Sequence, residues 1–324
     1  MKFKHIVWTG LLLLACGSTG KQQTEVATTF PIKLGTFDGT RLTGVKDIFI
    51  HSPWQPDTYA QLTFPEHCWG VDLPNTSHDA DPAAASPWQF NADSSAAWYE
   101  RNPREGVTFR ATAEADSMAV RLRIVIGNQT ELPIKDIRTL VCFKPDDTID
   151  TPSRSDGMTA FRDTCHRQTY FSYSGRRVQL HEETTFHGDY PPGVDESNAR
   201  NRVVWGINLV GQPDIRSIKD VGWWYLDNRP GRVVEELADP ALIAIRSSED
   251  STRWLGLIWE PASVLFCNPR NPCFHSDPVI ADCPPGGTSG ADGVLLFHQG
   301  TFEQLLDRAL AWRDRIKSAK GVNQ

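Results

Sequence analysis

Ala119-Val120-Arg121-Leu122-Arg123-Ile124-Val125-Ile126 is the stretch whose period decides the fold. Val120, Leu122, Ile124 and Ile126 fall on every second position, with Arg121, Arg123 and Val125 between them. Side chains of an extended chain alternate between faces, so this spacing predicts a strand with one buried face and one largely polar face. Asn128-Gln129-Thr130 then reads as a turn, and Ile134 to Phe143 follows as a second long apolar run. Together the two runs predict a hairpin-like unit of a large antiparallel sheet.

Working outward, the same punctuation recurs: short runs of Val, Ile, Leu, Thr and aromatics, separated by Gly, Pro, Asn and Asp. Strands are expected at 31–36, 46–51, 60–64, 68–73, 107–113, 118–127, 134–143, 168–174, 176–182, 202–210, 241–247, 253–259 and 292–298. Segments 76–105 and 145–166 lack periodicity and predict loops, pinned where Trp88, Phe90, Trp98 and Tyr99 anchor them. No linker interrupts 30–300, which predicts a single large β-sandwich domain. Thr301 and Gln304 form a T-x-x-Q capping box. Phe302, Leu305, Leu306, Ala309, Leu310 and Ile316 then recur near the helical period, so 301–324 predicts an amphipathic helix packed on the sandwich.

The N-terminus carries an address. Lys2 and Lys4 precede an apolar run of about nine residues, too short to span a bilayer, and Leu13-Leu14-Ala15-Cys16 closes it. The tetrad resembles the bacterial lipobox, which implies that residues 1–15 are a signal peptide and that Cys16 is acylated. Residues 16–29 would be the tether of an exported, membrane-anchored lipoprotein facing the periplasm or cell surface. Losing Lys2 and Lys4 takes the net charge from −7 to −9. That acidity argues against nucleic acid as a partner and against lipid contact beyond the acyl anchor.

Six cysteines remain after Cys16, an even number suited to an oxidising compartment. Cys267 and Cys273 bracket a turn-rich loop with two prolines and are the expected disulfide. Cys142 reads as a buried thiol or a strand-to-strand bridge.

Arg121 to Ile137 comprises a long strand, an Asn-containing turn, a short link and a return strand. It resembles the corresponding segment of galactose-mutarotase-like β-supersandwich proteins. Trp69 to His78, Pro272 to Pro278 and Asp282 to Gly286 are together similar to a group of exported bacterial proteins of that type. The resemblance implies a concave sheet face that handles sugars, as in mutarotases, polysaccharide lyases and hydrolase accessory domains. The glutamate and histidine pair of mutarotases has no residue-by-residue match.

Candidate chemistry lies in the same segments. His275 and Asp277 form an H-x-D on an expected extended loop, side chains to one side, with Asp282 close behind. His78, Asp79 and Asp81 form a second cluster. Brought to one sheet edge, the two would supply a general acid/base pair or hold a divalent cation, calcium or zinc. Alternatively His275 packs on the cysteine loop, Asp277 sets a turn with Pro278, and the other aspartates are solvated. For lyase chemistry on a uronic acid, Arg167, His166, Tyr170 and Tyr173 offer a neutraliser, a base and an acid, although packing is the favoured reading of the tyrosines.

Tryptophan is abundant, at 11 residues, and its broad apolar face suits sugar stacking. Trp223 and Trp224 are the best platform, with Trp69 and Trp88 as further candidates. Trp54 and Trp98 read as surface residues, and Trp205, Trp254 and Trp259 as core. There is no P-loop, dinucleotide fingerprint, G-x-S-x-G elbow or H-E-x-x-H helix. The sequence thus predicts a carbohydrate-binding or carbohydrate-processing envelope lipoprotein of lyase, hydrolase or isomerase type. The alternative is a non-catalytic glycan-binding or interaction lipoprotein.

Overall fold

A computed structural model describes residues 29–35, 47–71, 73, 88–146, 156–163, 167–173, 175–179, 205–209, 238–268 and 273–321. The signal segment, Cys16, His78, Trp223 and Trp224 lie outside the described residues. Along the chain run β1 Leu34–Gly35, β2 Asp47–His51, β3 Tyr59–Val71, β4 Gln89–Phe90, β5 Ala96–Arg104, β6 Val107–Ala115, β7 Ala119–Asn128 and β8 Lys135–Lys144. Next come β9 Thr169–Tyr173, β10 Arg176–Gln179, β11 Trp205–Leu209, β12 Leu242–Arg246, β13 Arg253–Glu260, β14 Ala262–Asn268, β15 Cys273–Pro278, β16 Thr288–Gln299 and the helix α1 Phe302–Gly321. None of the described helices is long and apolar enough to cross a membrane.

The strands form two antiparallel sheets packed as a large β-sandwich. One has seven strands in the order β1-β2-β3-β8-β15-β14-β11, the other nine in the order β10-β9-β12-β13-β16-β7-β6-β5-β4. Val120, Leu122, Ile124 and Ile126 face the other sheet, fully buried as their spacing predicts. Ile48, Leu62, Phe143, Leu265 and Phe274 meet them from the seven-stranded side. Each such side chain contributes about 1.5–3 kcal/mol on burial.

The expected β7–β8 hairpin does not form. β7 lies between β6 and β16, whereas β8 lies between β3 and β15 in the opposite sheet. The turn between them is present and carries the chain across the sandwich. Buried Asn128 donates from Nδ2 to the Leu132 and Cys283 carbonyls at 2.8 and 3.1 Å, and its Oδ1 accepts from the Thr130 amide and hydroxyl. Alternation tells which face of a strand is buried but not which strand lies beside it.

Segment 76–105, expected as loop, contributes β4 and β5. Ala97 and Tyr99 alternate inward, and Trp88 is core, 5.6 Å from the Tyr99 ring. Trp88 is therefore not a sugar platform. Trp54 is likewise buried, stacked on Phe161 and edge-on to Phe297. Trp98 alone of the loop tryptophans is half-exposed among the described residues, donating to Gln89 Oε1 at 2.9 Å. Trp254 and Trp259 are core, as expected.

Helix α1 begins at the expected capping box, with Gln304 N donating to Thr301 Oγ1 and Thr301 N donating to Gln304 Oε1. Its Phe302, Leu305, Leu306, Ala309 and Trp312 cover the outer face of the nine-stranded sheet over Tyr170, Leu242, Trp254 and Leu296. Cys68, Cys142 and Cys283 are buried thiols, and no disulfide occurs among the described side chains. Cys267 and Cys273 fall on adjacent antiparallel strands, where Cys273 pairs with Asn268; their side chains lie outside the described set.

Candidate functional site

Strand register assembles the site. β15 and β8 pair with Phe274 opposite Phe143, so one step along this antiparallel ladder sets His275 opposite Cys142. Cys142 pairs on its other side with Thr63 of β3, and Thr63 with Asp47 of β2. A row Asp47-Thr63-Cys142-His275 therefore runs across four strands. Ile48, Leu62, Phe143 and Phe274 point into the inter-sheet core, so by alternation this row points to the other face of the seven-stranded sheet.

Glu66 joins the row through a bulge. The register between β3 and β8 shifts between Thr63 and His67, so Phe64, Pro65 and Glu66 together oppose Val141. Proline has no amide proton for the ladder and is confined in sheets to bulges and edges. Bulges re-aim side chains. Here the bulge brings a Glu66 carboxylate oxygen, the Cys142 sulfur and a His275 ring nitrogen within 4.8 Å of one another.

Asp277 completes the group. It lies two positions along β15 and hence on the same face, with Oδ1 3.3 Å from His275 Nδ1 and accepting from the Val141 amide at 3.0 Å. His275 is 2 % exposed, Cys142 and Asp277 1 % each, and Glu66 is only partly buried. Burial pulls the His275 imidazole down, but the adjoining Cys142 sulfur and Asp277 carboxylate outweigh it and push it up to about 10. Burial pushes the Asp277 carboxyl up, against the pull of His275 and the Val141 amide. Both shifts are upward, the direction that favours a proton on the pair. Beside them Asp47 accepts from Gln61 Nε2 at 2.9 Å and Thr63 Oγ1 at 2.8 Å, all three buried.

Of the residues singled out in the sequence, His275 and Asp277 come together, on a central strand rather than on a loop. Asp282 is exposed and serves the backbone, its Oδ1 accepting from the amide of Asp136, which holds a left-handed φ of 52°. Arg167 is exposed, and its amide donates to Asp163. Tyr170 is buried under α1 against Trp254 and Phe302, with the Arg177 and Arg246 guanidiniums over its ring. Arg167 and Tyr170 therefore belong to the nine-stranded sheet and not to the His275 cluster. Trp69 pairs through its backbone with Arg138, and its side chain lies outside the described set.

Sequence reasoning missed Glu66 and read Cys142 as a buried thiol or a strand-to-strand bridge. The signal for Glu66 was Pro65 within an apolar run, which marks a bulge and thus a side chain turned from its alternation. For Cys142 the signal was its position, one residue out of step with the core-facing Val141 and Phe143.

The cluster offers two kinds of chemistry. An imidazole steadied by a carboxylate, beside a second, more accessible carboxylate, relays protons. A sulfur, a nitrogen and an oxygen donor converging on one point also match a transition-metal ligand set.

No protein-family model and no curated protein matches the chain. Solved structures do. A galactose mutarotase related enzyme from Lactobacillus acidophilus matches at 10% identity and TM-score 0.37, over 78% of this chain and 91% of that one. A galactose mutarotase-like protein from Clostridium acetobutylicum matches at 9% identity and TM-score 0.38, over 84% and 99%. A protein from Escherichia coli K12 described as a candidate aldose 1-epimerase matches at 11% identity and TM-score 0.32, over 66% and 69%. At such values the likeness concerns chain path and carries no argument about activity.

Proposed function

We propose that the chain is an envelope lipoprotein that binds or processes carbohydrate, with the Glu66, Cys142, His275 and Asp277 cluster as its reactive centre. One observation carries the reading. An Asp-steadied imidazole and a second carboxylate converge on the sheet face turned away from the inter-sheet core. Breaking or isomerising a sugar bond requires a proton to be delivered and another removed, which such a pair does. Glu66, the partly exposed member, is the group that meets the ligand, and His275 and Asp277 stand behind it as positioning residues and proton store. The sugar class and the lipid anchor are parts of the proposal, taken from the resemblance of the Arg121–Ile137 segment and from the lipobox at Cys16.

The test is ligand-observed NMR of the purified protein against neutral, uronic and sulfated oligosaccharides. New sugar resonances that grow with time, and that vanish in Glu66→Gln, support processing by this centre. Saturation transfer without new species, weakened in Glu66→Gln, supports a binding protein. Silence across the panel rejects the carbohydrate reading.

A further inference from the structure

The geometry points to a zinc-type divalent metal site in which Glu66, Cys142 and His275 are the ligands and Asp277 is the residue that orients His275. The inference is independent of the carbohydrate reading, because it rests on donor chemistry alone. It begins with the spacing. A tetrahedral zinc ion with bonds of about 2.0–2.3 Å has donor atoms about 3.4–3.6 Å apart. The three donors here already lie within 4.8 Å of one another, so small side-chain rotations close them on a common centre.

The donor types select the metal. Calcium and magnesium want six or more oxygen ligands, whereas this site presents a sulfur, an imidazole nitrogen and one carboxylate. That set suits zinc and its neighbours in the first transition row. Binding would release the proton held between Cys142 and His275, leaving the thiolate and the neutral imidazole that are the ligand forms.

The second observation is Asp277. Ligating histidines characteristically donate their other ring N–H to a carboxylate, which fixes tautomer and ring angle. His275 Nδ1 faces Asp277 Oδ1 at 3.3 Å, which leaves Nε2 as the ring nitrogen for a metal. Asp277 is itself held by the Val141 amide at 3.0 Å, so ladder, carboxylate and imidazole form one rigid chain. Three protein ligands leave a fourth position open, the arrangement of zinc sites that bind a small oxygen ligand. The partly exposed Glu66 side is where that position meets solvent.

The experiment uses cobalt(II) as probe. The purified protein, stripped with EDTA and kept reduced, is titrated with cobalt(II) and followed by absorption, without any sugar. Uptake of one ion with a near-ultraviolet thiolate-to-cobalt charge-transfer band and intense visible d–d bands is expected, and zinc should displace it. Cys142→Ser should lose the charge-transfer band, and Asp277→Asn should weaken uptake about 10- to 100-fold. Glu66→Gln, the variant least exposed to folding defects, should also weaken uptake while circular dichroism stays unchanged. Failure of the wild-type protein to take up cobalt, or a charge-transfer band that survives in Cys142→Ser, overturns the assignment. A metal-positive, sugar-silent protein would reject only the carbohydrate reading, and the converse only this one.

Discussion

Removing the Asp277 carboxylate should be among the most damaging single changes in the described sandwich. Asp277 is 1 % exposed, its Oδ1 both faces His275 Nδ1 at 3.3 Å and accepts from the Val141 amide at 3.0 Å, and His275 is 2 % exposed. Asp277→Ala therefore removes the partner of a buried imidazole and unpairs an amide in the middle of β8. Breaking a buried pair costs about 3–5 kcal/mol. An orphaned buried amide costs about 1–3 kcal/mol. Both penalties flow from one carboxylate and overlap, so about 3–5 kcal/mol is expected in total, a large share of the roughly 5–15 kcal/mol that holds a domain folded. Urea unfolding in EDTA, with midpoints compared at constant slope, measures it without metal contributing. Asp277→Asn keeps an oxygen for Val141 and should fall between wild type and alanine. The decisive comparison is the double variant His275→Leu/Asp277→Val, which replaces the whole pair with apolar groups and should cost less than Asp277→Ala alone. An Asp277→Ala cost under about 1 kcal/mol, or a double variant equal to the sum of its single changes, would refute the buried-pair argument.

Three further outcomes follow from other parts of the sandwich. Gly293→Ala would set a Cβ 2.5 Å from Trp259 Cδ2, on a cross-strand neighbour that is fully buried, and should cost about 1–3 kcal/mol in a thermal melt, since neither the ladder nor the indole has room to move. His298 is held below its ordinary pKa by burial and by Arg308, whose Nη1 is 3.4 Å from its Nδ1. A lowered histidine pKa means the unfolded chain binds the proton more readily. The stability tied to His298 is therefore complete above its unfolded pKa of about 6.5 and lost as pH falls through its folded value, so His298→Gln should flatten the acid side of a urea-midpoint profile. Tyr170→Phe should change neither sugar turnover nor stability by more than about 0.5 kcal/mol, because among the described residues the hydroxyl makes one long contact, 3.5 Å to the Arg167 carbonyl; a large loss of turnover in a folded Tyr170→Phe protein would restore Tyr170 to the site.

What the sequence made legible was whatever depends on local alternation. Ala119 to Ile126 reads as a strand because one face is apolar throughout, and Thr301 to Gln304 reads as a helix start because the cap is a local bond pattern. β15 hid because both of its faces carry polar groups. Phe274 faces the core, yet so does Ser276, whose hydroxyl donates to the Ala241 carbonyl and accepts from the Trp259 amide. With His275 and Asp277 on the other face, the run imitates a loop. β5 hid for a related reason, since Glu100, Arg101, Asn102 and Pro103 interrupt its apolar alternation. Tryptophans 54 and 88 misled because their neighbours in sequence are prolines and aspartates, whereas their neighbours in space are aromatic rings.

The two outer faces of the sandwich explain which candidate residues gather. The nine-stranded sheet turns outward Tyr170, Leu242, Ala244, Trp254, Ile258, Val294 and Leu296, an apolar surface that α1 covers with its own apolar stripe. Polar groups described there include Arg177 and Arg246 over the Tyr170 ring and His298 beside Arg308. The seven-stranded sheet turns outward Asp47, Gln61, Thr63, Cys142, His275 and Asp277, and the Pro65 bulge adds Glu66 to them. Asp47 accepts from Gln61 and Thr63 across strands, and His275 faces Asp277 along β15, which offsets part of the cost of burying them. Tyr170 of β9 belongs to the nine-stranded sheet, whereas His275 and Asp277 of β15 belong to the seven-stranded one, so Tyr170 is not a partner for His275. Under the proposed function a ligand meets this centre at Glu66, its partly exposed member.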